Sequence, residues 1–194
     1  MSDSKLVEKS EEVDVKTGNE SKLQGIQYVA VGIPAYEEEP GIGSTVLGAR
    51  KFADEVIVID DGSKDKTTER AKEAGATVVR HETNRGKGAA ISTLLEHAQG
   101  LDLDALVLMD GDGQHLPKDI PTVSGPILES ETDIVIGSRY LDKKEDDETP
   151  FYRRVGQQVL DFLTTGSTGE QLTDTQSGFR ALSPNSIEKL ILKE

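Results

Sequence analysis

The sequence predicts an α/β fold, a mostly parallel sheet with helices on both faces. Three observations predict it. Short apolar runs rich in Val and Ile, at residues 28–33, 56–59, 77–79, 105–109 and 133–136, have the length and composition of strands buried on both sides. Amphipathic stretches lie between them in the order βαβαβαβ(α)β, and right-handed crossovers then put helices on both faces. Each apolar run is followed by a polar or glycine-bearing segment. In an open parallel sheet these segments all fall on one edge, where ligands bind.

Each element has its own justification. Residues 1–25 carry mixed charge without periodicity and read as a disordered tail, leaving 26–194 as the folded domain. A first helix, 42–52, is weakened by Gly43 and Gly48. A second, 66–74, has Asp65 to cap it and Gly75 to end it. A third, 89–99, puts Ile91, Leu94, Leu95 and Ala98 on one face. A fourth, 117–130, is interrupted by Pro121 and Pro126. After Gly137 comes an acidic loop at 141–150, and then a helix at 151–163 with Phe151, Val155, Val159, Phe162 and Leu163 on one face. A last helix is capped by Ser183, has Pro184 in its first turn and runs to the chain end.

Composition excludes several classes of function. The 194 residues hold 22 Lys and Arg against 36 Asp and Glu, a formal net charge of -14. Such a polyanion repels nucleic-acid backbones, so no nucleic-acid partner is expected. Cysteine is absent, which removes disulfides, zinc–thiolate sites and a catalytic thiol. No apolar run approaches the ~18 residues of a membrane span. The first residues lack the apolar stretch of a secretory signal. A cytoplasmic protein without a transmembrane segment is expected.

The loops after the strands carry the chemistry. In Asp110-Gly111-Asp112-Gly113-Gln114-His115 the two aspartates are two apart and face the same way in an extended segment. With Gln114 or His115 they make a partial oxygen-rich site for Mg²⁺ or Mn²⁺, with positions open for a diphosphate. The same letters also make a solvated turn. Asp60-Asp61 ends the second run. One carboxylate can accept N–H bonds from a base or O–H bonds from a ribose, or the pair can lie exposed beside a helix cap. Asn84-Arg85-Gly86-Lys87-Gly88 offers backbone N–H groups and Lys87 to phosphate, or simply a flexible helix start. Arg139 suits a diphosphate, or pairs with the acidic loop after it. Tyr36 stacks on a base or packs. His81 and His97 read as surface histidines.

Together these loops resemble the family 2 glycosyltransferases, and within them the dolichyl-phosphate mannose or glucose synthases. The matching strings are PAYEE, with Glu37 where Asn is usual, DDGS, NRGKGAA, DGDGQHLP, GSR and DTQSGFR. They occur in family order across residues 27–192. The resemblance implies a glycosyltransferase A fold and a nucleotide-sugar donor, a UDP- or GDP-hexose. It implies that Pro34, Tyr36, Glu38, Ile59 and Asp61 contact the nucleotide. Asp110 and Asp112 would hold the Mg²⁺ or Mn²⁺ with Gln114 close by, and Gly111 and Lys87 would complete the donor site. Arg139 would reach the donor's phosphates. The acceptor implied is a polyprenyl phosphate at the cytoplasmic face of a membrane, attacked with inversion at the anomeric carbon. Relatives usually continue past the last helix, so the donor half is expected to be complete and the acceptor half incomplete.

A phosphate-monoester acceptor has a second pKa near ~6 and is already anionic at neutral pH, so it needs no strong base. A sugar hydroxyl would need one, and Asp174 is then the candidate. Arg180 attracts an acceptor phosphate or pairs with Asp174. Two other readings stay open. One is a nucleotide-sugar-binding remnant without activity. The other is a phospho-receiver domain, whose acidic pair and later aspartate Asp60-Asp61 and Asp110 imitate.

Overall fold

The computed structural model describes residues 27–137, 152–154 and 178–191. The expected tail, the acidic loop, Arg139 and Asp174 lie outside them. The strands are β1 (Val29–Ala35), β2 (Glu55–Asp60), β3 (Thr77–Arg80), β4 (Ala105–Leu108), β5 (Ile134–Gly137), β6 (Tyr152–Arg154) and β7 (Arg180–Leu182). The helices are α1 (Ile42–Ala49), α2 (Thr67–Glu73), α3 (Lys87–Gln99), α4 (Ile120–Leu128) and α5 (Pro184–Ile191), with a single 3₁₀ turn at Pro117–Asp119 leading into α4.

These strands form one sheet in the order β3-β2-β1-β4-β7-β5-β6. The first four pair in parallel, as expected. The rest departs from a fully parallel sheet. Strand β7 inserts antiparallel between β4 and β5. Its three residues are too few for a periodic signal, and the two neighbouring edges impose its conformation. The insertion also breaks the all-parallel layout that the phospho-receiver reading needs.

The helix expected at 151–163 is overturned where the structure describes it. Tyr152–Arg154 is an edge strand, with Gly137 opposite Tyr152 and Val135 opposite Arg154. An open β5 edge offers unpaired N–H and C=O groups, and pairing with them outweighs the local helical pattern.

Alternation along the strands sorts the core into two layers. Val31, Ile33, Val58 and Val107 face Ile42 and Val46 of α1, Ala71 of α2 and Ile120 and Val123 of α4. Ala30, Ile57, Ile59 and Leu106 face Leu94, Leu95 and Ala98 of α3 and Ile187 and Leu190 of α5. Helices therefore cover both faces.

Local chemistry sets the helix ends. The Ser183 hydroxyl accepts the N–H of Ser186 at 3.1 Å and caps α5. Asp65 accepts the N–H and hydroxyl of Thr67 at 3.0 and 2.6 Å, at the start of α2. Pro121 lies in the first turn of α4, where no intrahelical N–H bond is lost. Among the described residues no helix is long and apolar enough to cross a membrane.

Candidate functional site

The C-terminal ends of β1, β2 and β4, with the start of α3, surround a cleft of about 330 Å³. Pro34, Tyr36, Glu38, Asp61, Lys87, Asp110, Gly111 and Asp112 all line it, joined by Asn84 and Gly86. Ile59 does not. Its side chain is fully buried in the core layer under α3, so only its backbone lies near the sheet edge. Gln114 is not in the lining either; its backbone N–H donates to Asp112 Oδ1 at 3.0 Å. Tyr36 stands 40% exposed on the wall, so it is not a core residue.

At one end of the cleft, the two aspartates at the C-terminal end of β2, Asp60 in the strand and Asp61 just after it, are enclosed by donors. Asp60 is fully buried and accepts the Ser63 N–H at 2.8 Å and the Thr68 hydroxyl, with Arg80 Nε 3.7 Å away. It holds the turn rather than a ligand. Gly62 makes that turn at φ +76°, and a Cβ there would lie 2.5 Å from the Thr83 carbonyl carbon. Asp61 Oδ1 accepts from the His81 ring at 2.6 Å and from the Arg85 N–H at 2.9 Å; Oδ2 accepts the Gly86 N–H at 2.7 Å. Burial alone pushes the Asp61 carboxyl up, but the Arg85 N–H, the His81 ring and the Gly86 N–H outweigh it and hold the group below its usual value. His81 is therefore no surface histidine: it is 7% exposed and bridges Asp61 to the Thr93 hydroxyl, 2.9 Å from Nε2.

The other end is built differently. Lys87 opens α3, the helix end where a cation is least favoured by the dipole. Its ammonium lies 2.6 Å from Asp110 Oδ1. His115 Nε2 lies 3.4 Å from Asp110 Oδ2, and its buried ring stacks on Phe179 at 5.2 Å. The His115 hydrogen bond, opposed by burial and helped by Lys87, brings the Asp110 carboxyl down to about 2. A Cβ on Gly178 would come within 2.2 Å of Asp110 Oδ2, so only glycine lets this backbone lie against the carboxylate.

The DTQSGFR string thus serves the site through Gly178, Phe179 and Arg180. Sequence reasoning gave the first two no role; the glycine just before a large apolar residue was the available signal. Arg180 borders a second lobe of about 230 Å³, which shares Pro34, Lys87 and Asp110 with the first. Burial pushes the Arg180 guanidinium down from its ordinary value, against the pull of Asp110.

Charge accumulates at this end. Burial, then Asp112, Asp65 and Asp110, push the Glu38 carboxyl up. Asp112 is exposed beside it. Among the described residues no three Asp, Glu or His side chains form a ready cation cage. The Asp110 and Asp112 carboxylates nonetheless fit a hard divalent cation that takes its remaining oxygens from a ligand and water.

Residues 30–191 match the family model "Glycosyl transferase family 2". An uncharacterized Methanocaldococcus jannaschii protein is 41% identical over 84% of this chain and 68% of its own length. A Methanococcus voltae relative, UDP-N-acetylglucosamine–dolichyl-phosphate N-acetylglucosaminyltransferase, is 36% identical over 81% of this chain and 70% of its own length. Among solved structures, Mycobacterium tuberculosis glucosyl-3-phosphoglycerate synthase, crystallised with Mn²⁺, UDP-glucose and phosphoglyceric acid, superposes with a TM-score of 0.59 at 26% identity, over 90% of this chain. This chain spans 63% of that enzyme's length. The sheet with its antiparallel insertion, the acidic loop at the β4 end and the family match agree: the chain is a glycosyltransferase of family 2, with a glycosyltransferase A fold, in the branch of the dolichyl-phosphate sugar transferases.

Proposed function

We propose that this chain moves a hexose from a nucleoside diphosphate sugar to a polyprenyl phosphate, with inversion at the anomeric carbon. One observation carries the reading: two lobes, one lined by Tyr36 and Asp61 and one by Arg180, meet at Asp110 and Lys87. The first suits a nucleotide. The second suits an anionic acceptor. The reacting carbon would then sit where the lobes join.

The residues divide the work. Tyr36 offers an exposed ring face to the base, and Asp61 an acceptor oxygen edge. Asp110 and Asp112 would hold Mg²⁺ or Mn²⁺, which when bound neutralises charge on the departing diphosphate. Lys87 is the cation that the chain itself brings to the same point. Arg180 faces the incoming phosphate. A phosphate oxygen attacks the anomeric carbon as the bond to the diphosphate oxygen breaks, so the acceptor needs no deprotonation. Arg139 would add a second cation at the donor phosphates. Asp174 would act as base only for a hydroxyl acceptor. The names of the relatives support a lipid acceptor, and with it peripheral attachment to a membrane.

A transfer assay tests this reading. The chain is incubated with labelled UDP- or GDP-hexose, Mn²⁺ and vesicles carrying dolichyl phosphate. Label should pass into the lipid extract as a sugar phosphate whose anomeric configuration is opposite to the donor's. Donor binding without any lipid-linked label would instead support the binding remnant.

A further inference from the structure

His81 is buried and touches neither the donor's phosphates nor the acceptor in the proposed transfer. It directly follows β3, and its N–H donates to the Asp60 carbonyl at 2.9 Å, so the backbone there is fixed. Its ring spans two elements. Nδ1 lies 2.6 Å from Asp61 Oδ1, and Nε2 lies 2.9 Å from the hydroxyl of Thr93 on α3. A carboxylate only accepts, so Nδ1 carries the proton in that contact. Asp61 in turn takes the N–H groups of Arg85 and Gly86, the two residues just before α3. The contacts close a ring: His81 to Asp61, Asp61 to the loop, the loop into α3, and α3 back to His81 through Thr93.

We propose that His81 is a positioning residue for base recognition, holding the Asp61 carboxylate in the orientation that receives both loop N–H groups and still faces the cleft. The proposal rests on reading this cleft as a nucleoside diphosphate site. It goes beyond that reading by naming what the base must present. With three donors in place, Asp61 meets a ligand only as an acceptor. A base edge with a ring N–H satisfies it, as uracil and guanine do; cytosine presents a bare ring nitrogen there and leaves the buried carboxylate facing a lone pair.

The test is calorimetric titration of the full chain, with Mn²⁺, by UDP, GDP, CDP and inorganic pyrophosphate. His81→Phe fills the ring's volume without a hydrogen bond. His81→Asn places an amide N–H where Nδ1 sits and keeps the proposal testable if the Phe variant does not fold. In His81→Phe the better of UDP and GDP should lose about tenfold or more in affinity, the loss expected for a hydrogen bond to a charged group. Its preference over CDP should shrink, and pyrophosphate, which has no base, should bind unchanged. His81→Asn should recover most of the loss.

Wild-type UDP and GDP affinity in His81→Phe would overturn the proposal, as would an equal loss for nucleotide and pyrophosphate. So would an Asn variant no better than Phe. A wild-type chain that binds no nucleoside diphosphate would overturn the donor-site reading itself, and this proposal with it, before any substitution is made.

Discussion

The molecule carries two aspartate pairs at the same sheet edge, and they differ in exposure: one pair is wholly enclosed by donors, the other leaves one member in solvent. Asp60 and Asp61 sit among N–H and O–H donors, which compensate both carboxylates. In the second pair Asp110 is held by Lys87 and His115, whereas Asp112 is exposed and, after burial, is the main charge pushing the Glu38 carboxyl up. A pair enclosed by donors makes a rigid frame; a pair with one carboxylate in solvent leaves oxygens for a cation. Loop geometry decides which. The DDGS turn folds back on its own acids through Gly62, whereas the DGDG loop leaves Asp112 in solvent.

The largest effect belongs to the pair with a solvent-exposed member. Asp112→Ala should reduce sugar transfer by about a hundredfold or more, as loss of a ligand-site charge does. Its unfolding free energy in urea should stay within about 0.5 kcal/mol of wild type, as for an exposed site. The enclosed pair should behave in reverse. Asp60→Ala leaves the Ser63 N–H and the Thr68 hydroxyl buried without an acceptor, and should cost about 3 kcal/mol in the same urea unfolding. If both variants lost stability equally, the contrast would fail.

Gly178→Ala is next in size. Its methyl would meet Asp110 Oδ2 at 2.2 Å, and overpacking of this kind costs about 1–3 kcal/mol. Transfer should fall with it, because the carboxylate is displaced.

The smallest effects are in pH. Asp110 is held at about 2, below the ordinary 3.8. The stability it contributes is therefore present above pH ~4 and lost as pH falls toward ~2, up to about 2 kcal/mol. Asp61 acts in the same sense. Glu38, being raised, acts oppositely: its contribution is present below the ordinary glutamate value and lost as pH rises through its folded one. Thermal melts should show Glu38→Gln gaining slightly at pH 7 and not at pH 4.

The parallel half of the sheet was readable because buried parallel strands are continuous Val and Ile runs with glycine-bearing loops after them. In the antiparallel half only β5, the run at 133–136, was. Strands β6 and β7 are three residues each, and neighbouring edges rather than their own pattern give them their conformation. The site divided in the same way. Asp61, Lys87, Asp110 and Asp112 were singled out because their spacing on loops carries chemistry, and all four line one cleft. His81, Gly178 and Phe179 were passed over because their roles arise from contacts between segments distant in sequence. His81 meets Asp61 across twenty residues, and Gly178 meets Asp110 across the β7 insertion. Ile59 was assigned to the cleft, yet strand alternation turns its side chain into the core.

The division between a rigid acidic frame and a cation receptacle is tested most directly by calorimetric titration of UDP- and GDP-sugars, with and without Mn²⁺, into wild type and Asp112→Ala. Mn²⁺ should strengthen binding to wild type and make no difference to Asp112→Ala, which should remain folded. Mn²⁺-dependent binding that survives in Asp112→Ala, or wild-type binding indifferent to Mn²⁺, would contradict the account.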